Sequence, residues 1–404
     1  MTPVRAALLT LLALLLIAGL WSRRAVHAWN EDSEAHVIST MRYHVQQGHA
    51  PPGGLLVVAP ADTVYPSSSG VQGYFAGLVA RRFVADYAAL QPRPVDYPDA
   101  WHKSADGFGT AVVMLKSASL GLTAMVLAAF ALFIAVEWSA ISALLFAMLV
   151  GTSYTLAWWS TNLYWATPTL FLPFVAAWFL ARGMRRGEWS AWRIVMVVGG
   201  ATLLKALCGY EWLSCIVAAA SVPFVYYAVL DARPLRETAV RIATVAAAGV
   251  AGTAAALAVH LSKLSAARGS LSAALGAFGG RAGHWVGAAA AEADYPRSGM
   301  IGAPFMNLEL AAFGPLRLKL WLFLLLVVVS AAALLWRARL AGNAATAWRA
   351  AGVALLYSLA CSLSWPVLAS AHFAAHLHLG LIVFFLPTAL VLFALPAMLA
   401  PRAA

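Results

Sequence analysis

Charged residues and cysteines are both scarce in this sequence. Only 11% of its 404 residues are charged, whereas 62% are hydrophobic. A water-soluble domain cannot bury so much apolar surface, so the composition excludes a soluble protein and predicts a chain that crosses a membrane several times. The three cysteines, Cys208, Cys215 and Cys361, form no CxxC pattern and lie in or beside apolar segments. This excludes a disulfide framework and a cysteine metal site, and it indicates core packing.

The sequence also lacks an internal repeat, so it gives no support to a transporter built from inverted repeats. Acidic residues are fewer than basic ones, 16 against 27, which gives a formal net charge of +11. In a membrane protein this excess does not indicate nucleic-acid binding, because basic residues collect in cytoplasmic loops.

Apolar runs of about 20 residues, the length that crosses a bilayer, predict an all-α polytopic protein with about ten transmembrane helices. The first run, within Met1 to Leu20, is followed by a weak signal-peptide cleavage site at Val26-His27-Ala28. Arg23 and Arg24 precede that site and favour an uncleaved first helix. The predicted spans lie near residues 5–21, 110–136, 139–157, 164–182, 193–209, 212–230, 240–261, 318–336, 348–367 and 379–399.

Arginines follow the fourth, sixth and eighth predicted spans and end the chain. If both termini are cytoplasmic, all of these loops are cytoplasmic as the positive-inside rule requires, and Arg23 and Arg24 are the exceptions. The arginines concerned are Arg182, Arg185, Arg186, Arg193, Arg233, Arg236, Arg241, Arg337, Arg339, Arg349 and Arg402.

This topology makes residues 1–404 a single integral membrane domain with two long outer loops, 22–109 and 262–317. The first loop contains a strand-like stretch from Leu55 to Val58. It also contains two amphipathic helices, predicted for Ala35 to Tyr43 and for Gln72 to Tyr87, and the second of these suits the membrane surface.

Three carboxylates, Glu31, Asp32 and Glu34, lie where the first span leaves the bilayer. A reaction between a lipid-borne substrate and a water-side acceptor needs a base at such a boundary. The alternative is that these acids only keep the segment out of the membrane.

Further polar residues gather at the outer ends of the predicted spans. Polar groups at membrane depth are costly and are usually functional, so these residues are candidates for the site. Lys205 lies about one turn inside the fifth span, and Gly209-Tyr210-Glu211 forms the turn into the sixth. The others are Asn162, Tyr164, Trp165, His372, His376 and His378, with Arg268, Arg281 and Arg297 in the second loop.

Each of these groups has a structural alternative. Lys205 and Glu211 suit a salt bridge between helices as well as a lipid phosphate. His372 and His376 share one helix face and suit a metal, hydrogen bonds to phosphate or sugar, or a structural cluster. The aromatic residues Trp158, Trp159, Tyr164 and Trp165 are typical of an interfacial belt, and stacking on a sugar is the functional alternative. The arginines are either solvated or clamp a phosphate.

The chain resembles the polytopic glycosyltransferases of the GT-C superfamily, which take sugar from a polyprenyl-phosphate carrier at the outer leaflet. The resemblance rests on a cytoplasmic N-terminus, the acidic pair Glu31-Asp32 and the amphipathic helix that follows. The patterns Lys205…Gly209-Tyr210-Glu211 and Ala371-His372…His376-Leu377-His378 are similar to those of bacterial members. Arabinofuranosyltransferases are plausible relatives. The chain lacks the large soluble C-terminal domain of the oligosaccharyltransferases, and its first loop has no DxD motif.

The resemblance implies a multi-pass enzyme of the bacterial inner membrane with its active site facing the periplasm. Its partners are a polyprenyl-phosphate sugar donor, a glycan or protein acceptor and the bilayer, without nucleic acid. Asp32, or otherwise Glu31, deprotonates the acceptor, and the sugar is inverted at its anomeric carbon. Lys205, with His376, His378 or Arg281, balances charge on the phosphate. No cofactor is required, although a divalent metal stays open. Substrate contacts are expected from Tyr65, Ser68, Gln72, Asn162, Tyr164, Trp165, Tyr210, Glu211 and His372.

Three other classes of protein remain open. A lipid-linked-glycan flippase or other transporter needs polar residues near the middle of the membrane, and Lys116 and His260 are the candidates. An O-antigen ligase or polymerase usually carries its long outer loop late in the chain. A structural protein leaves the one-sided clustering of polar residues unexplained.

Overall fold

The computed structural model describes residues 3–22, 34–58, 63–84, 107–187, 189–285, 309–313, 316–341, 345–370, 373 and 381–399. Over these residues the chain is largely helical. The helices are α1 (Pro3–Trp21), α2 (Glu34–Gln47), α3 (Val71–Phe83), α4 (Gly107–Glu137), α5 (Ala140–Gly151), α6 (Tyr154–Ser160), α7 (Thr167–Arg186), α8 (Ala191–Cys208), α9 (Leu213–Leu230), α10 (Leu235–Arg268), α11 (Leu271–Trp285), α12 (Leu320–Leu340), α13 (Thr346–Leu368) and α14 (Leu381–Met398).

Eight of these helices are long and apolar enough to cross a membrane: α1, α4, α8, α9, α10, α12, α13 and α14. The helices α5 and α6 make a ninth span only if the pair is taken together, because they are bent by 73° at their junction. Ser153 causes this break, since its side chain accepts a hydrogen bond from Leu156 N and begins a new helix. The described residues therefore contain eight candidate spans, or nine with this pair, where the sequence predicts about ten.

The remaining predicted span, 164–182, corresponds to α7, which is not among the apolar eight. Two prolines, Pro168 and Pro173, and the arginines of its last turns lower its apolar character. Its 20 residues extend about 30 Å, enough to join the two ends of the helix bundle.

One end of the bundle holds a network of arginines and acids, called here the arginine end. Arg185 pairs with Asp231 at 2.9 Å, and Arg233 pairs with Glu237 at 2.7 Å. Arg182 also pairs with Glu137, so the network joins the ends of α4, α7 and α9 to the start of α10. These are the arginines on which the predicted topology rests.

The other end is formed by α2, α3, the turn between α6 and α7, and the turn between α8 and α9; it is called here the polar end. The helix α2 packs on α3, and Thr40 Oγ1 accepts a hydrogen bond from Val57 N at 2.9 Å. Both amphipathic helices predicted for the first outer loop are therefore present, the second of them ending at Phe83 rather than Tyr87.

The second predicted outer loop, 262–317, is helical in its first part. Helix α10 continues to Arg268, and α11 follows it after a turn at Gly269 with φ of 81°. The protein also has two short antiparallel hairpins, which an all-α description omits. One pairs β1 (Val57–Val58) with β2 (Thr63–Val64), and the other pairs β3 (Glu309–Phe313) with β4 (Leu316–Lys319).

Helices α8 and α10 cross in close contact because both carry glycine at the crossing. A Cβ at Gly252 would lie 2.3 Å from Gly199 O, so no larger residue fits without a shift. Small residues that let backbones approach are typical of helix contacts in membranes. This crossing places the end of α8 beside the part of α10 that lies towards the polar end.

Candidate functional site

The turn between α6 and α7 is shaped by Asn162. Its Oδ1 accepts hydrogen bonds from Tyr164 N at 2.9 Å and from Trp165 N at 3.1 Å. The residue is completely buried, yet its Nδ2 has no partner. A buried donor without a partner is costly, and the indole Nε1 of Trp165 in the same turn is a second one, so the turn can donate to a ligand or a water.

Gln72, in the first turn of α3, joins this turn to the end of α8. Its Nε2 donates to Tyr164 O at 2.9 Å and to Cys208 O at 2.7 Å, and its Oε1 is buried without a partner. Ser68 donates to the same Cys208 carbonyl at 3.0 Å. Ser68 therefore holds the backbone in place and has its hydroxyl hydrogen occupied.

Lys205 and Glu211 lie on either side of the turn between α8 and α9. Lys205 is fully buried, and its Nζ donates to Gly209 O at 3.0 Å and lies 5.9 Å from the centre of the Trp212 ring. Glu211 accepts from Tyr164 OH at 2.8 Å through Oε1, whereas its Oε2 is buried without a partner. Among the residues that the structure describes, Lys205 and Glu211 form no direct ion pair.

Gly209 has no side chain, and the side chains of Lys205 and Glu211 occupy the space beside it. A Cβ at this position would lie 2.4 Å from Glu211 Oε2 and 3.6 Å from Lys205 Nζ. Its backbone is extended, so any residue can adopt its torsion angles and the requirement is for space. Lys205 Nζ and Glu211 Oε2 therefore both lie near this Cβ position. Each of them can still form further hydrogen bonds.

An aromatic contact extends the site towards the first outer segment. The Tyr65 ring lies 6.3 Å from that of Tyr164 and 4.2 Å from that of His36. Arg281 of α11 lies 5.9 Å from the centre of the Tyr65 ring and donates to Ser67 Oγ at 3.1 Å. The exposed guanidinium of Arg281 thus forms the rim of the same cluster.

The protonation states of this cluster follow from burial. Burial, with the nearby Glu211 carboxylate, raises the pKa of Tyr164 well above its ordinary value, so its hydroxyl stays a donor to Glu211. Burial, with the Arg281 charge, lowers the pKa of His36 to about 4. His36 is therefore neutral at physiological pH and adds no charge beside Arg281.

An apolar groove of about 400 Å³ opens beside this polar cluster. It extends along α4 from Leu115 to Val126, about 16 Å or half of the hydrocarbon core of a bilayer. Leu122 and Phe75 are each 59% exposed, so the groove is open from the side. Gln72 is the residue that the groove lining shares with the polar cluster.

Tyr210 links this cluster to α10 and α11. Its hydroxyl lies 3.1 Å from His260 Nδ1, and its ring packs against Phe278 of α11. Tyr210 therefore contacts α10 and α11, although the sequence places it beside Glu211.

Lys116 and Glu34 form a salt bridge of 2.9 Å in which both side chains are fully buried. Glu34 Oε1 also accepts a hydrogen bond from Leu163 N at 2.9 Å. The pair joins α2, α4 and the turn between α6 and α7. Sequence reasoning considered each residue but missed the pairing, although a lysine inside an apolar helix needs a counter-ion.

Five predicted site residues, Glu31, Asp32, His372, His376 and His378, lie outside the described residues. The other predicted site residues lie around the turns of the polar end, and Tyr210 also contacts α10 and α11. Within the described ranges, no group of three histidine, cysteine or acidic side chains is placed to hold a metal.

Sequence reasoning also missed His36 and Trp212. His36 follows the acidic stretch in the amphipathic helix, and Trp212 directly follows Glu211, so adjacency to predicted site residues was the available signal. Comparison with protein families, curated proteins and solved structures finds no match to this chain.

Proposed function

We propose that this protein is an inverting glycosyltransferase of the GT-C type, which transfers a sugar from a polyprenyl phosphate to an acceptor hydroxyl. The proposal places the reaction at the polar end, facing the periplasm of a bacterial inner membrane. The observation that carries it is the meeting, at Gln72, of an apolar groove with a cluster of buried polar atoms that have no partner.

A donor with a long apolar tail and a phosphorylated sugar has the two chemistries that this junction offers. The tail suits the groove, whose lining is almost entirely apolar. The phosphate suits Lys205, because an ammonium group has three N–H donors and one of them bonds to Gly209 O. Sugar hydroxyls suit Glu211 Oε2, Gln72 Oε1 and Asn162 Nδ2, which offer both acceptors and a donor.

In the proposed reaction the acceptor oxygen forms a bond to the anomeric carbon while the bond from that carbon to the phosphate oxygen breaks. Asp32, or otherwise Glu31, takes the acceptor proton. The leaving polyprenyl phosphate keeps the electron pair, and Lys205 with Arg281 stabilises its charge. No strong acid is needed, since a phosphate is already a good leaving group.

The test is the release of undecaprenyl phosphate from a panel of undecaprenyl-phosphoryl pentoses and hexoses, incubated with purified protein and a cell-envelope acceptor fraction. Asp32→Asn is expected to lower the rate by roughly 10²–10⁴-fold, the usual contribution of a general base. His49→Gln is the matched control, because His49 is exposed in the same outer segment.

The outcomes separate the parts of the proposal. Loss of activity in Glu31→Gln but not in Asp32→Asn would make Glu31 the base and keep the function. No release of carrier by the native protein from any donor in the panel would contradict the proposed function.

A further inference from the structure

A second cavity, of about 550 Å³, lies at the arginine end between α9, α10 and α13. It is far from the proposed reaction, because the polar end lies at the opposite ends of these helices. Two guanidinium groups from separate parts of the chain face it, Arg233 from the turn before α10 and Arg349 from α13. Its lining residues are Ala228, Val229, Ala232, Arg233, Leu235, Thr238, Thr346 and Arg349.

The positive charge at this cavity is only partly balanced. Arg233 is bonded to Glu237 at 2.7 Å and lies 3.6 Å from Asp231, while its Nε is buried without a partner. Both acids are shared with other arginines, since Asp231 pairs with Arg185 and Glu237 with Arg241. Arg349 has no carboxylate partner among the described residues and is exposed. An anion between Arg233 and Arg349 would therefore meet a net positive field.

The apolar part of the cavity indicates which anion suits it. Leu235 is 84% exposed, and Ala228, Val229 and Ala232 complete the apolar lining. A soluble phosphate gains nothing from apolar side chains, whereas a phospholipid places its phosphate beside arginines and its acyl chains along such residues. Thr238 and Thr346 also line the cavity, and the Thr238 hydroxyl donates to Pro234 O at 3.2 Å.

We propose that this cavity binds the phosphate headgroup of an anionic phospholipid, with Arg349 as the principal contact and its tails along α10. The site is separate from the proposed transferase site and does not depend on it.

The experiment titrates the purified full-length protein in detergent with dioleoyl-phosphatidylglycerol or dioleoyl-phosphatidylcholine and counts bound lipids by native mass spectrometry. The native protein is expected to bind phosphatidylglycerol in preference to phosphatidylcholine. Arg349→Gln is expected to weaken phosphatidylglycerol binding by about tenfold or more, the effect of losing a charge-assisted hydrogen bond. Arg339→Gln is the matched control, since it removes one exposed arginine from the neighbouring helix α12.

Equal phosphatidylglycerol affinity for Arg349→Gln and native protein would overturn the proposal. An equal loss of phosphatidylglycerol affinity in Arg339→Gln would also overturn it, because the lipid would then be attracted to the arginine end as a whole.

A third arm of the experiment uses inorganic phosphate and glycerol phosphate. If these compete with phosphatidylglycerol at similar concentrations, the site binds a free anion and the lipid assignment is wrong. Arg349→Lys, which keeps the charge, provides a folded variant if Arg349→Gln is unstable, with binding expected between the two.

Discussion

At the scale of single residues, the site depends on groups whose hydrogen-bonding capacity is unused. Glu211 Oε2, Gln72 Oε1 and Asn162 Nδ2 are all buried without partners in one region. A folded protein satisfies nearly all buried polar atoms, and each exception needs an explanation. A polar ligand or a water beside Lys205 would satisfy such atoms, which in this region also include the indole nitrogens of Trp159 and Trp165.

His36 provides a test of this environment through pH. Its pKa is lowered to about 4 from 6.5, first by burial and then by Arg281. A proton therefore binds His36 more tightly in the unfolded chain than in the folded protein. As the pH falls from about 6.5 to about 4, this difference lowers the free energy of unfolding. We expect the thermal unfolding midpoint of the detergent-solubilised protein to fall over this range, and less so in His36→Gln.

The matched control for this measurement is His49→Gln, which changes an exposed histidine at the end of the same helix. Its pH dependence should follow that of the native protein. An unchanged pH slope in His36→Gln would show that His36 is not held in its neutral form by the fold.

Sequence reasoning identified many of these residues from topology alone. Lys205, Glu211, Asn162 and Tyr164 lie in different parts of the sequence, and only the alternation of spans places them at one end. Side-chain direction was beyond that reasoning. The Tyr210 hydroxyl, for example, lies 3.1 Å from His260 Nδ1, a contact that the spacing of the sequence does not indicate.

At the scale of helices and turns, the buried Lys116–Glu34 pair fixes α2 against α4 and the turn that carries Asn162. Removing one partner leaves an unpaired buried charge, which costs about 3–5 kcal/mol. We expect Lys116→Met to lower the unfolding free energy by about this amount, measured by SDS titration in mixed micelles.

The double variant Glu34→Gln with Lys116→Met should recover much of the loss, because no buried charge remains. Arg82→Met is the control, since Arg82 is an exposed cation of the same outer segment. A double variant as unstable as the sum of the two single variants would show that the pairing itself is not what matters.

The crossing of α8 and α10 gives a second prediction at this scale. Gly252→Ala places a Cβ 2.3 Å from Gly199 O and should lower the unfolding free energy by about 1–3 kcal/mol. Gly183→Ala, in α7, meets no atom within 4 Å, so it should be neutral or slightly stabilising. Thermal unfolding of both variants checks this, and equal stability would contradict the close crossing.

The sequence predicted most spans because long apolar runs determine them. It did not predict the 73° break between α5 and α6, since the two helices together still read as one apolar run and only the short stretch Gly151-Thr152-Ser153 marks the break. The continuation of α10 to Arg268 was also missed, because polar residues such as Lys263 end an apolar run without ending the helix. Hydrophobicity locates membrane segments, whereas capping and turn residues determine where helices end.

At the scale of the whole molecule, the arginine end and the polar end lie at opposite ends of the bundle. The positive-inside rule predicts that the arginine end is cytoplasmic. We expect a membrane-impermeant maleimide to label Gln47→Cys in intact spheroplasts and Arg236→Cys only after permeabilisation. Both positions are exposed, and the three native cysteines are buried, so background labelling should be low. The reverse pattern would contradict the proposed orientation.

The central claim is that a polyprenyl phosphate binds where the groove meets the polar cluster. The most direct test is an electron-microscopy map of the protein in nanodiscs with added undecaprenyl phosphate. The account predicts a phosphate within hydrogen-bond reach of Lys205 Nζ and a tail along α4 in the groove that Gln72 and Leu122 line. A map with the lipid bound elsewhere, and with only protein atoms around Lys205, would contradict it.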